Sequence, residues 1–187
     1  MKPESVSLAQ RACNRRQFLW GAGIAVAGLG TLGTARATGR DTRSLSFVHT
    51  HTGERLSAVY FQNGVYEATS LERINHLLRD FRTGDMHPIA PPVLDILYDL
   101  QTLADRAEPF EVICGYRSPK TNAELREHTN GVAEHSLHLE GRAIDVRLPG
   151  VPTKKLQQLA LSMQRGGVGY YASSDFIHLD NGRFRCW

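Results

Sequence analysis

Two short apolar segments each enclose a polar side chain, and this constrains the fold more than any other feature of the sequence. Asp145 lies within Ala143-Ile144-Asp145-Val146, and His178 lies between Ile177 and Leu179. Both segments read as buried strands. A carboxylate inside such a strand is costly unless it is paired or holds a cation. The chain therefore has to bring other polar groups to these strands.

The other elements follow from local patterns. Residues 45–51 and 56–61 read as strands joined at Thr52-Gly53-Glu54, and Asn63-Gly64 turns the chain into Val65-Tyr66. Ser70 is an N-cap candidate for a helix whose apolar face is Leu71, Ile74, Leu77, Leu78 and Phe81, ended by Thr83-Gly84-Asp85. Pro91-Pro92 opens a second helix with a stripe running from Val93 to Leu103. Phe110–Cys114 reads as a strand, 115–119 as a loop and 121–128 as a short helix. A strand at 143–148, a helix at 153–164, a strand or loop start at 166–170 and a strand at 176–180 complete the chain. With no repeat or linker after residue 44, one α+β domain is expected, a central antiparallel sheet flanked by helices.

Residues 1–37 read differently. Arg15-Arg16 precedes Phe18-Leu19, a glycine- and alanine-rich apolar run follows, and Ala35-Arg36-Ala37 is an A-x-A cleavage signal. This is the pattern of a twin-arginine secretory signal peptide, too short and weakly apolar for a membrane span. The expected division is a leader at 1–37 and a domain at 38–187. The whole chain has a net charge of +3, but the leader holds five basic residues and one acidic, so residues 38–187 carry −1. No basic surface remains to argue for nucleic acid. Cys114 and Cys186 remain after the leader; in an oxidising compartment, two cysteines on strands are candidates for a cross-strand bridge.

The chemistry concentrates in Ser136-Leu137-His138-Leu139-Glu140-Gly141-Arg142-Ala143-Ile144-Asp145 and Asp175-Phe176-Ile177-His178-Leu179-Asp180. A catalytic zinc needs three protein ligands and an open position. Two histidines and a carboxylate supply such a set, and hydrolysis then needs a separate group to move the proton of water. Asp175, three residues before His178, is a candidate for that proton transfer, with capping of its own turn as the structural alternative. Asp180 shares strand parity with His178 and is a candidate either to orient a ligand or to cap the following Asn181-Gly182 turn. His135 reads as a groove or surface residue, and Ser136 as a hydrogen-bonding neighbour of the site. His49-x-His51 resembles a strand pair of ligands. Ser118 lacks the glycine pattern of a nucleophile elbow, so a serine triad is rejected.

The pattern S-x-H-x-x-G-x-A-x-D followed by D-x-x-H-x-D resembles the zinc peptidases that include lysostaphin and the D-alanyl-D-alanine metallopeptidases, with the hedgehog fold. More closely, residues 45–187 are similar to the bacterial murein endopeptidase K family. The segments that carry this likeness are Thr50–Glu54, Ile74-Asn75, Leu78–Gly84, Gly115–Asn122 and Gly166–Tyr171. The resemblance implies His138, Asp145 and His178 as zinc ligands and Asp175 as general base and then acid. It implies Arg117 as the group that binds the developing oxyanion or a substrate carboxylate, and a structural role for His49-x-His51. It implies a monomeric periplasmic enzyme that cuts peptide cross-links of peptidoglycan, including the 3-3 links between diaminopimelate residues. A D-alanyl-D-alanine carboxypeptidase and a non-catalytic envelope module with structural zinc are the alternatives. Cysteine stands at 114 where the family leads one to expect serine, and at 186 where another residue is expected; a bridge between them would tie the last strand to the 110–115 strand. The loop at 171–175 also lacks the family's proline.

Overall fold

Alternation of apolar and polar residues produces most of the sheet, and the helices cover the face on which the apolar residues fall. The computed structural model describes residues 41–129 and 132–187. The expected leader, 1–37, lies outside the described residues. Strands β1 (Thr42–His49) and β2 (Arg55–Gln62) form a hairpin, extended by the two-residue β3 (Val65–Tyr66). Helices α1 (Ala68–Leu77) and α2 (Pro91–Leu103) follow, then β4 (Phe110–Cys114) and α3 (Pro119–His128). A 3-10 turn (Leu137–Glu140) leads into β5 (Ala143–Arg147), α4 (Thr153–Ser162), β6 (Gly167–Tyr171), β7 (Phe176–Asp180) and β8 (Arg185–Cys186).

The eight strands form one sheet in the order β3-β2-β1-β4-β5-β7-β6-β8. The expected antiparallel sheet is in fact mixed, because β1 pairs parallel with β4 and β6 parallel with β8. Helices α2 and α4 pack together and against β6 and β7. On that face Ile144, Val146, Val168, Ile177 and Leu179 join the side chains of the two helices in the core. Asp145 and His178, at the alternate positions, point to the other face.

Two expectations are corrected. Helix α1 starts at Ala68, before Ser70, and ends at Leu77, short of Phe81. Asp80 competes with the helix for backbone groups: its carboxylate accepts from the amides of Arg82 (3.0 Å) and Ser118 (2.9 Å). Leu78 is also engaged, its carbonyl accepting from Tyr116 N–H at 2.8 Å. Second, Cys114 and Cys186 form no disulfide. They stand on β4 and β8, four strand positions apart. At about 4.8 Å per strand this is on the order of 19 Å, far beyond bridging distance.

Candidate active site

Strand register sets the site in a row. Cys114 on β4 faces Asp145 on β5, Asp145 faces His178 on β7, and His178 faces Gly169 on β6. Residues directly opposite each other in adjacent strands project to the same face. His138 joins them from the 3-10 turn. Ser136 caps that turn, its Oγ accepting from His138 N–H at 3.4 Å. The turn closes at Gly141, with φ of 63°, where a Cβ would stand 2.1 Å from the Pro88 carbonyl oxygen. Only glycine fits there.

Three donor atoms converge. His138 Nε2 stands 3.2 Å from His178 Nδ1 and 3.3 Å from Asp145 Oδ1, and His178 Nδ1 is 2.9 Å from the same oxygen. Donors around a tetrahedral ion bound at about 2.0–2.1 Å stand about 3.3–3.4 Å apart, so the cluster has nearly the dimensions of a metal site. The far nitrogen of each ring is anchored. His138 Nδ1 donates to the Gly115 carbonyl at 2.7 Å, and His178 Nε2 donates to Asp180 Oδ2 at 3.0 Å. These bonds put each neutral ring's N–H on the outside and its lone pair inside, the arrangement a ligating imidazole requires. A divalent ion fits this donor set.

The electrostatics agree. Burial alone would push the His138 imidazole down, but Asp145 and Cys114 outweigh it and its pKa is pushed up to about 10. Burial would raise the Asp145 carboxyl, yet His138 and His178 hold it well below the usual carboxylate range. The pocket thus stabilises a positive charge between the rings and the carboxylate. Asp180, fully buried, is likewise held low against its burial, by His178, Arg185 and the amides of Gly167 and Gly182. This is one of the two positions expected for Asp180, the orienting one.

Arg117 reaches the cluster from the loop after β4. Its N–H donates to the His138 carbonyl at 3.1 Å, tying the loop after β4 to the 3-10 turn. Its guanidinium donates to Asn122 Oδ1 (3.2 Å) and Cys114 Sγ (3.8 Å) and stands 4.0 Å from Asp145 Oδ2. Asn122 Nδ2 donates in turn to the Ala133 and Glu134 carbonyls, so α3 holds both Arg117 and the following loop. Arg117 Nε is buried without a hydrogen-bond partner among the described residues.

The cluster opens into a cleft of about 390 Å³, lined by Arg117, His135 and Ser136 on one side and Tyr171, Phe176 and Trp187 on the other. Trp187 was not evident as a site residue in the sequence. Its ring centroid is 5.2 Å from that of His178, and its Nε1 donates to Tyr171 Oη at 3.1 Å. Gly169 makes room for it, since a Cβ there would meet the indole at 2.7 Å. The tail Asn181–Trp187 also holds Phe184, so an aromatic near the end of the chain gave no specific signal for Trp187.

Asp175 is placed elsewhere. It is the left-handed residue after a 3-10 turn, φ 51°, a conformation Asp tolerates better than most residues. Its side chain is exposed, accepts a hydrogen bond from Thr153 Oγ1 at the start of α4, and stands 3.9 Å from Arg147. It does not line the cleft. The structure therefore does not bring Asp175 together with His138, Asp145 and His178. His49 and His51 also lie apart, packed on Phe81 with ring centroids at 5.5 and 4.1 Å.

Comparison with known proteins agrees with this geometry. Residues 37–187 match the family model described as peptidoglycan L,D-endopeptidase MepK. The chain belongs to the MepK family. It is similar to the probable peptidoglycan L,D-endopeptidase MepK of Haemophilus influenzae, 41% identical over 93% of this chain and 95% of that protein. It is similar to the peptidoglycan L,D-endopeptidase MepK of Escherichia coli K12, 39% identical over 93% of this chain and 97% of that protein. No solved structure matches it. Family membership accounts for an α+β domain with a peptidase cleft. No helix among the described residues is long and apolar enough to cross a membrane.

Proposed function

We propose that this MepK-family chain is a zinc-dependent murein endopeptidase of the cell envelope that hydrolyses peptide cross-links of peptidoglycan. The observation that carries the reading is the convergence of His138 Nε2, Asp145 Oδ1 and His178 Nδ1, with the outer nitrogen of each ring anchored. These three residues would hold the ion. Bound there, zinc would supply an acidified water and polarise the scissile carbonyl.

The remaining work falls to the chain itself. Asp180 and the Gly115 carbonyl fix the two imidazoles in one tautomer each. Arg117, with a guanidinium fixed by Asn122, presents positive charge where the carbonyl oxygen becomes anionic or where a substrate carboxylate lies. The walls of Tyr171, Phe176 and Trp187 exclude water from one side of the bond and seat the stem peptide. The relatives are named L,D-endopeptidases, which favours the 3-3 link as the bond cut here. The segment 1–37 supports export by the twin-arginine route, and the substrate requires a periplasmic enzyme. One chain supplies every proposed ligand, so a monomer suffices for the proposed activity.

The test is incubation of purified protein with muropeptide monomers and with 3-3 and 4-3 linked dimers, read by mass spectrometry. Dimers joined by 3-3 links should fall to monomers, stop when chelator is added, and resume when zinc is restored. Loss of terminal D-alanine alone would move the assignment to a carboxypeptidase. No cleavage with zinc tightly bound would make the chain an envelope binding module.

A further inference from the structure

Cys114 has no part in the function proposed above, yet the fold aims it at the site. Val112 and Cys114 are two residues apart and would share a face in a regular strand. Instead Val112 pairs with Val146, on the core face, and Cys114 pairs with Asp145, on the site face, because the register shifts between them. A bulge of this kind re-aims a side chain, and such bulges concentrate beside active sites. The result is that donor atoms of Cys114, His138 and Asp145 all lie within 4.8 Å of one another. The thiol sulfur also accepts from the Arg117 guanidinium at 3.8 Å.

We propose that Cys114 is a fourth donor to the divalent ion held by His138, Asp145 and His178. This rests on the reading of those three residues as a metal site. On coordination the thiol releases its proton to solvent, sulfur bonds to the ion, and the water in the open position leaves. Two neutral imidazoles, one carboxylate and one thiolate then balance a divalent charge. A catalytic zinc site keeps one position open. Cys114 fills that position in the resting protein, and water or substrate must displace it for turnover. Sulfur also biases the site towards soft ions such as zinc, cobalt and cadmium over manganese or magnesium.

Cobalt(II) tests this without relying on activity. The metal-free full-length protein is loaded with cobalt alone, and absorption is recorded for wild type, Cys114→Ser and Cys114→Ala. The expected result is a near-ultraviolet thiolate-to-cobalt charge-transfer band in wild type that both variants lack, with the visible cobalt bands present in all three. Zinc affinity should fall in both variants by at least the ~10–100-fold that loss of a ligand's own hydrogen-bond partner costs. Identical cobalt spectra in wild type and variants would overturn the role of Cys114 while leaving the three-residue site standing. Failure of folded wild type to bind cobalt at all would overturn both readings.

Discussion

Asp95 and Asp145 are both buried carboxylates, and their surroundings are opposite in kind. Asp95, on α2, accepts from Arg43 Nη1 at 2.9 Å, Tyr60 Oη at 3.0 Å and Tyr66 Oη at 2.6 Å. Every partner is a donor, so the cluster is satisfied as it stands. Asp145 faces two imidazoles whose N–H groups are already committed outward, to the Gly115 carbonyl and to Asp180. In their neutral forms both rings present lone pairs to a carboxylate. Such a cluster needs a positive charge between the rings and the carboxylate, a proton or a metal ion, whereas the Asp95 cluster needs nothing more. A buried acid by itself therefore identifies no site; the direction in which its neighbours' hydrogens point does.

The sharpest way to break the comparison is to neutralise each acid. Asp145→Asn should abolish bound metal and lower cross-link cleavage by more than about a hundredfold, since it removes a ligand rather than a ligand's partner. Metal content by mass spectrometry and turnover of 3-3 dimers check this together. Asp95→Ala should do the reverse. It leaves the Tyr60 and Tyr66 hydroxyls without their acceptor, while Arg43 keeps Asp41, and should cost about 1–3 kcal/mol of folding stability, the usual loss when a buried donor is left unsatisfied. A thermal melt reads that loss, while the fraction that stays folded should keep its metal. A metal-free but otherwise stable Asp95→Ala protein would contradict the contrast.

Smaller effects sharpen it. Arg117→Ala should lower turnover by about 10²–10³-fold, the range for loss of a single oxyanion donor, and leave metal content unchanged. Wild-type rates would refute its role. Asp180→Asn keeps an acceptor oxygen but loses the charge that fixes His178 Nε2–H; zinc affinity should drop by about 10–100-fold, measured by competition with a chromophoric chelator. An unchanged affinity would mean that strand β7 alone holds the ring.

Most of the elements, and the residues His138, Asp145 and His178 that converge, were legible in the sequence because each rests on a local pattern. Asp145 and His178 stand out against apolar neighbours, and the turn after His138 is marked by Gly141. What escaped was non-local or broke a local rule. The shift between Val112 and Cys114 reverses the face of the cysteine, and simple alternation through Phe110–Cys114 cannot reveal it. The cysteine pair looked plausible because sequence shows strands but not their order; three strands separate β4 from β8. Trp187 enters the cleft only because Gly169, on another strand, leaves space for the indole. The early end of α1 reflects the contact of Asp80 with Ser118, 38 residues further along the chain.

Asp175 shows how a spacing can mislead, and it carries the smallest predicted effect. The D-x-x-H pattern places an acid near a ligand in sequence, and a helix would bring the two to one face. Asp175 precedes the extended strand β7, so neither helical nor strand spacing relates its side chain to His178. The left-handed backbone at Asp175 turns its side chain to Thr153, on the α4 side of the sheet, and Arg147 lies nearby. Asp175→Asn keeps a residue suited to that conformation and an oxygen able to accept from Thr153. Turnover and metal content should therefore stay within about twofold of wild type, and stability should change by no more than the ~0.5 kcal/mol typical of exposed positions. A loss of about a hundredfold in turnover with zinc retained would instead mark Asp175 as the group that moves the proton. The 172–175 turn would then have to rearrange when substrate binds, carrying the carboxylate round the end of β7 to the cleft.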